Sequence, residues 1–450
     1  MSQERLHRAL PPLLIVLLVA AWVLGGVPID ESPADEALML FAIPVLAAAA
    51  LALALEGIPD RLQRMALLAV AAVALVPALQ LMPLPAAWST PARARLVADL
   101  AVAGVAAPSR WSLAPGATEA ALWALLPAIA AFLAALALDG QGRRLLVKAV
   151  IVLVGCNVLF AFFQAGLPEE SPLRLYGTAG FGGLLVNTNH QGTALVIALA
   201  LATGQAVHAR RRARAGRAGP RAWMAYAAIA VACLLLVPLT TSRAAMVLAL
   251  PAAAAAFLLA GGVRRGGMRG KPVRMAVLAG VLVVAAIGIH AALGWMAVDQ
   301  AEEIRHSLTA TTLDAARGYA PWGTGIGSFV PVFASHAPPA LWLPQYVNHA
   351  HNEYAQWWLT AGVPGLLALA LVLAVLAVAT ARVLRARGRD GHAILAASCL
   401  VAIAAVLAHS AADYPLRTLT LMTTAAALAG AMLGALADTR SSAPADHPPA

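Results

Sequence analysis

Uninterrupted apolar runs of 18 or more residues recur from end to end of this 450-residue chain. A helix of about 20 apolar residues crosses the hydrocarbon core of a bilayer, and it satisfies its own backbone polar groups while doing so. Charged residues make up only 12% of the chain, about half of their usual share in soluble domains. These features exclude a soluble protein and predict an all-α, polytopic integral membrane protein.

The lengths of the apolar runs, and the Gly, Pro and charged residues between them, predict about twelve transmembrane helices. They lie near 10–27, 37–55, 62–82, 118–138, 145–166, 189–208, 222–238, 243–262, 273–296, 356–380, 392–410 and 418–437. We interpret the first run as an uncleaved helix, because no small-residue cleavage site closes it. Residues 1–450 are thus predicted to form a single transmembrane domain with a disordered tail at 438–450.

The distribution of basic residues predicts the orientation of these helices. Of the 31 Lys and Arg residues, 23 lie on the alternate loops that share a side with the amino terminus, and Lys and Arg are retained in the cytoplasm during insertion. Both termini and the tail are therefore predicted to be cytoplasmic. Two long loops, 83–117 and 297–355, then lie outside, the second between the ninth and tenth helices. The formal charge of +10 comes mainly from the short basic loops that orient the helices in the membrane. No nucleic-acid partner is therefore expected.

Two features look like common ligand sites but fit them poorly. The glycine-rich segment 323–327 (GTGIG) lacks the preceding strand and the following Lys of a phosphate-binding loop, so it predicts a tight turn and no nucleotide. The pair His349 and His351, with Glu353, lacks the spacing of a helical metal site. The sequence therefore predicts neither a metal nor a cofactor.

Four polar segments sit where predicted helices meet the outer side, and this shared depth favours an extracytoplasmic site. They are 187–190 (NTNH), 240–243 (TTSR), 348–354 (NHAHNEY) and 409–417 (HSAADYPLR). The His and Asn side chains also suit helix caps in the headgroup zone. Arg243 is interpreted as an anion ligand, with snorkelling to lipid phosphates as the alternative. For Arg417, an ion pair with Asp413 and a ligand contact are equally favoured.

These motifs resemble the O-antigen ligase and O-antigen polymerase (Wzy-type) family of membrane glycosyltransferases. Residues 348–364 (NHAHNEYAQWWLTAGVP) look like the family's HxHNxYL signature and the helix entry that follows it. Arg305 with the glycine segment 323–327, and the TSR, NTNH and HSAADYPLR segments, resemble further family elements in the same order. The resemblance spans roughly residues 180–420.

This resemblance implies a bacterial inner-membrane enzyme with a periplasmic active site. Such an enzyme transfers an undecaprenyl-diphosphate-linked glycan to an acceptor hydroxyl, on the lipid A core in a ligase or on another lipid-linked glycan in a polymerase. The motifs are common to both, so the sequence does not choose between them. No metal is required if arginine forks neutralise the diphosphate leaving group.

Residue roles follow from the resemblance and from side-chain chemistry. Arg243 and Arg305 are expected to bind the diphosphate, and His351 to act as the general base. His349 is the reserve base, and Glu353 is expected to hold the histidine tautomer or to bind acceptor. The remaining predicted substrate-binding residues are Asn352, Asn187, Asn189, His190, Arg417 and Asp413. Arg93, in the first long loop, is expected to tolerate replacement by Lys.

The rival class is a transporter, such as a lipid-linked glycan flippase, for which ionisable residues near the bilayer midplane are typical. The predicted helices are nearly free of charge at their centres, and Asn157 is their clearest central polar residue. Because the polar residues gather at one face instead, an interfacial enzyme is favoured. A purely structural membrane scaffold would leave the outer Arg and His motifs without a cause.

Overall fold

A computed structural model describes residues 3–28, 32–106, 108–168, 170–175, 180–262, 300–342 and 347–441. All regular secondary structure in these ranges is helical, which confirms the all-α fold. The helices longer than one turn are α1 (Gln3–Leu24), α2 (Pro33–Glu56), α3 (Arg61–Gln80), α4 (Pro91–Val102), α5 (Pro115–Trp123), α6 (Leu126–Ala137), α7 (Gly140–Ala165), α8 (Thr188–Arg214), α9 (Arg221–Leu236), α10 (Arg243–Leu259), α11 (Gln300–Tyr319), α12 (Phe329–His336), α13 (Glu353–Ala386), α14 (Gly391–His409) and α15 (Leu419–Ser441).

Ten helical segments among the described residues are long and apolar enough to cross a membrane, which identifies a multi-pass membrane protein. The predicted span 243–262 corresponds to the shorter apolar helix α10. The predicted span 273–296 lies outside the described residues, so the count of twelve stays a prediction. Helix α15 runs to Ser441, several residues into the segment predicted to be a disordered tail, and 442–450 lie outside the described residues.

One predicted span is broken in two. The run near 118–138 forms α5 and α6, which are interrupted at Ala124 and Leu125. Pro127 stands in the first turn of α6. Because Pro has no N–H and its ring clashes with the carbonyl four residues earlier, it starts a helix and does not continue one.

Helix α8 is the central element of the bundle. In its most apolar stretch, 83% of the residues are buried, whereas in the corresponding stretch at α9 only 11% are buried. It begins at the end of the bundle where α10, α13 and α15 also begin and where α14 ends; we call this the His351 end. The opposite end carries basic side chains, where Arg211 donates to the carbonyls of Gly388 and Gly261 and Arg143 pairs with Asp438.

The two long loops pack on each other at the His351 end. Trp88 stacks on Trp322 with ring centroids 4.4 Å apart, and the Trp111 indole donates to the Trp322 carbonyl at 3.0 Å. Arg93 is buried and donates to the carbonyls of Trp111 and Arg110. Its role as a clamp on the first loop argues against the expected silent replacement by Lys, because Lys lacks the planar fork of donors.

The glycine segment 323–327 forms a tight turn against a kink in α13, as the sequence predicts. Gly362 interrupts α13 with φ 59°, and a Cβ added there would lie 2.4 Å from the Pro321 carbonyl oxygen. The Gly325 amide donates to the Thr360 carbonyl at 2.9 Å, and the Ile326 amide donates to Gln80 Oε1 at 2.9 Å. The turn uses these amides to dock the loop on the bundle.

Candidate active site

Left-handed backbone marks three of the four predicted motifs. The only non-glycine residues with positive φ in the described ranges are Val186 (57°), Thr241 (53°) and His351 (50°). Val186 directly precedes the NTNH segment, and Thr241 lies within TTSR. Such conformations cost free energy for residues with a Cβ, and they cluster at functional sites.

Each of these three motifs then starts a helix by capping it. The side chains of Asn187, Ser242 and Asn352 accept hydrogen bonds from the first amides of α8, α10 and α13. The Asn352 oxygen is 3.1 Å from the amides of Tyr354 and Ala355, so it holds the helix start. Asn187 and Asn352 therefore act as helix caps, the alternative role given above. The caps also fix the backbone positions of the neighbouring His and Arg residues.

His351 faces a buried carboxylate from the HSAADYPLR segment. Its Nδ1 lies 3.4 Å from Asp413 Oδ1, and the Asp413 side chain is only 1% exposed. This separation exceeds the usual length of an N–H···O hydrogen bond, so the two side chains are in close electrostatic contact. Burial raises the pKa of Asp413, but the contact with His351 and the charges of His190 and His409 outweigh it and hold the pKa well below its usual range.

Tyr414, which the sequence analysis did not single out, lies at the centre of the site. Its ring centroid lies 4.3 Å from that of His349, 4.9 Å from His351 and 5.1 Å from His190. Burial raises the pKa of its hydroxyl, so the phenol stays protonated at neutral pH. The ring joins two histidines of the loop before α13 to the one in the first turn of α8.

His349 is held as an acceptor by Gln356. The Gln356 carbonyl oxygen accepts from the Ala350 amide at 3.0 Å, which orients its NH₂ group toward His349 Nδ1, 3.2 Å away. Burial, followed by the charges of Arg417 and His351, lowers the pKa of His349 to about 3. The ring is therefore neutral, with its proton on Nε2.

Two further histidines are buried beside Asp413. His190, in the first turn of α8, is fully buried, and neither ring nitrogen has a hydrogen-bond partner among the described residues. His409, at the end of α14, contacts the Thr193 hydroxyl through Nδ1 at 2.8 Å. Thr193 lies one turn beyond His190, so the start of α8 meets the end of α14 at the site.

The carboxylate of Glu353 pairs with Arg417 and not with a histidine. Arg417 Nε donates to Glu353 Oε2 at 2.9 Å, and the side chains are 15% and 12% exposed. The local pair of Arg417 with Asp413, one of the two alternatives, is therefore not formed, because Asp413 faces His351. The chain reversal between α14 and α15 sends these two side chains in different directions.

The predicted arginines start or line neighbouring elements. Arg305 lies on α11, and its charge acts on both His409 and Tyr414. Arg243 is the first residue of α10. A Cβ added at Gly192 of α8 would lie 3.0 Å from the Ser242 Cβ, so the TTSR segment packs two residues from His190.

Residues 228–370 match the family model described as O-Antigen ligase. We call this matched region the O-antigen ligase segment. This confirms the resemblance drawn from the motifs. A comparison of the chain with curated proteins gives no match.

The O-antigen ligase segment supplies only part of the cluster. It contains Arg243, Arg305, His349, His351, Asn352 and Glu353. The remaining residues come from outside it: Asn187, Asn189 and His190 at the start of α8, and Asp413, Tyr414 and Arg417 after α14. The fold brings both sets to the His351 end of the bundle.

Proposed function

We propose that this protein is a bacterial inner-membrane glycosyltransferase of the O-antigen ligase and polymerase type. It transfers a glycan from undecaprenyl diphosphate to an acceptor hydroxyl at the periplasmic face. The acceptor is lipid A core in a ligase and another lipid-linked glycan in a polymerase. The observation that carries the proposal is the contact of His351, inside the matched segment, with the buried carboxylate of Asp413 outside it.

The tautomers favour His351 over His349 as the base. His349 accepts at Nδ1 from Gln356, so its Nε2 carries a proton and offers no lone pair to a sugar hydroxyl. His351 Nδ1 faces Asp413, and a proton held there leaves Nε2 free to accept another. The buried carboxylate stabilises the imidazolium that forms, as the carboxylate beside a catalytic histidine does in other enzymes. This assigns to Asp413 the orienting role expected of Glu353.

The leaving group is a diphosphate, which needs charge stabilisation and no further activation. A guanidinium fork binds phosphate oxygens bidentately, with a geometry that lysine lacks. Arg305 places its charge near Tyr414 and His409, on the side of α11. Arg243 stands at the start of α10, where the helix dipole adds positive potential. These two residues bind the diphosphate in our proposal.

The alternative of a lipid-linked glycan flippase is less well supported. Asn157, the central polar residue, is buried and used structurally: its Oδ1 accepts from the Leu184 amide at 2.7 Å and its NH₂ donates to Gln191 at 2.6 Å. It therefore holds the loop before α8. The titratable cluster lies at one end of the bundle, which suits chemistry at a membrane interface.

The proposal is tested with purified protein in lipid vesicles, supplied with an undecaprenyl-diphosphate oligosaccharide. Lipid A core is offered as acceptor in one reaction, and a second copy of the donor in another. A single addition to lipid A core identifies a ligase, and a ladder of products identifies a polymerase. If undecaprenyl diphosphate is released under neither condition, the proposed function is wrong.

A further inference from the structure

An apolar cavity of about 410 Å³ lies inside the bundle, beside the active-site cluster. Helices α3, α5, α6, α13, α14 and α15 line it, and alanines on α3 and α15 leave room between the helices. Its volume is within the range of small-molecule sites. Neither the diphosphate nor the proton transfer in the proposed reaction makes use of it.

The length of the cavity matches one leaflet of a bilayer. Its lining runs from Ala66 to Pro77 on α3 and from Met422 to Leu433 on α15. At 1.5 Å per helical residue, each stretch is about 16 Å long. The hydrocarbon core is about 30 Å thick, so the cavity has the depth of a single lipid chain entering from the His351 end.

The mouth of the cavity is polar and has hydrogen-bonding capacity to spare. Glu353, Arg417 and Trp357 line it. One atom of each, Glu353 Oε1, Arg417 Nη2 and Trp357 Nε1, is buried without a hydrogen-bond partner in the part of the chain that the structure describes. Buried polar groups left unpaired are costly. Two open donors and one open acceptor are therefore set around the entrance of an apolar groove.

This mouth suits hydroxyl groups better than a diphosphate. The Arg417 charge is already compensated by Glu353 at 2.9 Å, so the pair offers hydrogen bonds with no net charge. A sugar hydroxyl both donates and accepts, and it matches an open carboxylate oxygen beside an open guanidinium N–H. Glu353 follows His351 by two residues, so a saccharide held here lies next to the proposed base.

We propose that the cavity is the acceptor site: it takes the hydrocarbon chain of a lipid-linked saccharide, and the Glu353–Arg417 pair holds hydroxyls of its first sugar. That the bound saccharide is the acceptor rests on the proposed function. That a lipid-linked saccharide binds in the cavity does not. It places the donor diphosphate at Arg243 and Arg305, and the acceptor lipid on the other face of the cluster.

Binding is tested without turnover, through the fluorescence of Trp357. The probe is a 9,10-dibromostearyl glucoside, whose bromines quench an indole that they contact. The Trp357 signal is the difference between wild type and Trp357→Phe in the same nanodiscs. We expect the glucoside to quench it at concentrations where dibromostearoyl phosphatidylcholine does not. Equal quenching by the phospholipid would mean that the cavity holds bulk lipid only and would overturn the proposal.

Groove-filling variants link the cavity to the acceptor. Ala426→Phe on α15 and Val372→Trp on α13 both fill the lined space, and Ala50→Phe on the exposed face of α2 is the control. Each added side chain takes the space of a few methylenes of the bound hydrocarbon chain. We therefore expect each groove variant to weaken glucoside affinity by about tenfold or more. The control should bind as wild type does. Unchanged affinity in both folded groove variants would overturn the proposal.

Kinetics then separate the two claims. In an active preparation, Ala426→Phe should raise KM for the lipid-linked acceptor and leave KM for the donor unchanged. A rise in donor KM alone would assign the groove to the donor chain and overturn the proposal. If the wild type binds the glucoside but transfers no glycan to any acceptor, the binding site stands and the proposed function fails.

Discussion

His351 has a backbone conformation that few non-glycine residues adopt. Its φ of 50° costs about 1 kcal/mol or more, and the surrounding contacts must hold it. Ala350 before it is fully buried, and Asn352 after it caps α13. The strained residue is thus fixed on both sides, which directs its imidazole at Asp413.

The first prediction concerns Arg243. In Arg243→Lys the charge remains but the bidentate fork is lost, so we expect kcat/KM to fall by about tenfold or more while membrane insertion persists. Arg95→Lys is the matched control, because Arg95 is exposed on α4 of the first outer loop. The measurement is glycan transfer in vesicles. Equal activity in the two variants would mean that Arg243 only reaches for lipid phosphates.

The second prediction concerns the acid sensitivity of the fold. His349 has a pKa of about 3 in the folded protein, below the 6.5 of an unfolded chain. The unfolded state therefore binds an extra proton between these values, and the stabilisation present above pH 6.5 is lost as the pH falls toward 3. At pH 5 the loss is up to about 2 kcal/mol.

His349→Gln removes this titration, so its Tm should fall less than that of wild type between pH 7 and pH 5. The glutamine keeps an acceptor for the Gln356 NH₂ group. Thermal unfolding followed by intrinsic fluorescence at the two pH values provides the comparison. Parallel losses of Tm in the two proteins would show that His349 does not carry the acid sensitivity.

At the scale of elements, close packing of α10 on α8 sets the position of the TTSR motif. A Cβ at Gly192 would lie 2.6 Å from the Ala245 Cβ and 3.2 Å from the Thr240 hydroxyl. The helices approach this closely only because Gly192 has no side chain. A larger residue must therefore push the start of α10, and Arg243 with it, away from His190.

The third prediction is that Gly192→Val lowers transfer activity by about tenfold or more, because a small displacement of a binding group is costly. Gly155→Val on α7 is the control, since a Cβ there meets no atom within 4 Å. Both proteins are to be compared for yield, Tm and activity. Wild-type activity in Gly192→Val would show that the position of the TTSR motif does not affect catalysis.

The sequence predicts the helices well because an apolar run long enough to span a bilayer has few other stable structures. It does not predict the break at Leu125, where one Pro interrupts a run that is otherwise uniform. Side-chain partners were harder still. The spacing of Asp413 and Arg417 allows a local pair, yet their partners are His351 and Glu353, which lie more than 60 residues earlier in sequence.

Tyr414 illustrates the same limit. Its neighbours Asp413 and Arg417 were chosen for their charge, and a lone aromatic residue between them carries no functional signal in sequence. Only the turn between α14 and α15 places its ring among His190, His349 and His351. The cluster is thus predictable in its ionisable members and not in the residue that joins them.

On the scale of the whole molecule, the two ends of the bundle differ in chemistry. The His351 end carries the histidine cluster, and the opposite end carries basic residues such as Arg214 at the end of α8. Ser335, on α12, is exposed at the His351 end. This polarity, together with the charge asymmetry of the sequence, places the active site on the periplasmic face in our proposal.

The fourth prediction tests that orientation by cysteine labelling. Arg214→Cys and Ser335→Cys are made in a chain whose Cys156, Cys233 and Cys399 are replaced by Ala. In intact cells whose outer membrane is permeabilised, an impermeant maleimide should label residue 335 and not residue 214, which reacts only after lysis. Labelling of both from one side would contradict the predicted topology.

The central claim is that His351 takes a proton from the acceptor hydroxyl while other residues bind the donor. The direct measurement compares turnover with donor affinity in His351→Gln, beside His306→Gln as an exposed control on α11. We predict that His351→Gln lowers kcat by about a hundredfold or more with donor Kd unchanged, and that His306→Gln resembles wild type. Normal turnover in His351→Gln, or a loss of donor binding that accounts for the loss of activity, would contradict the account.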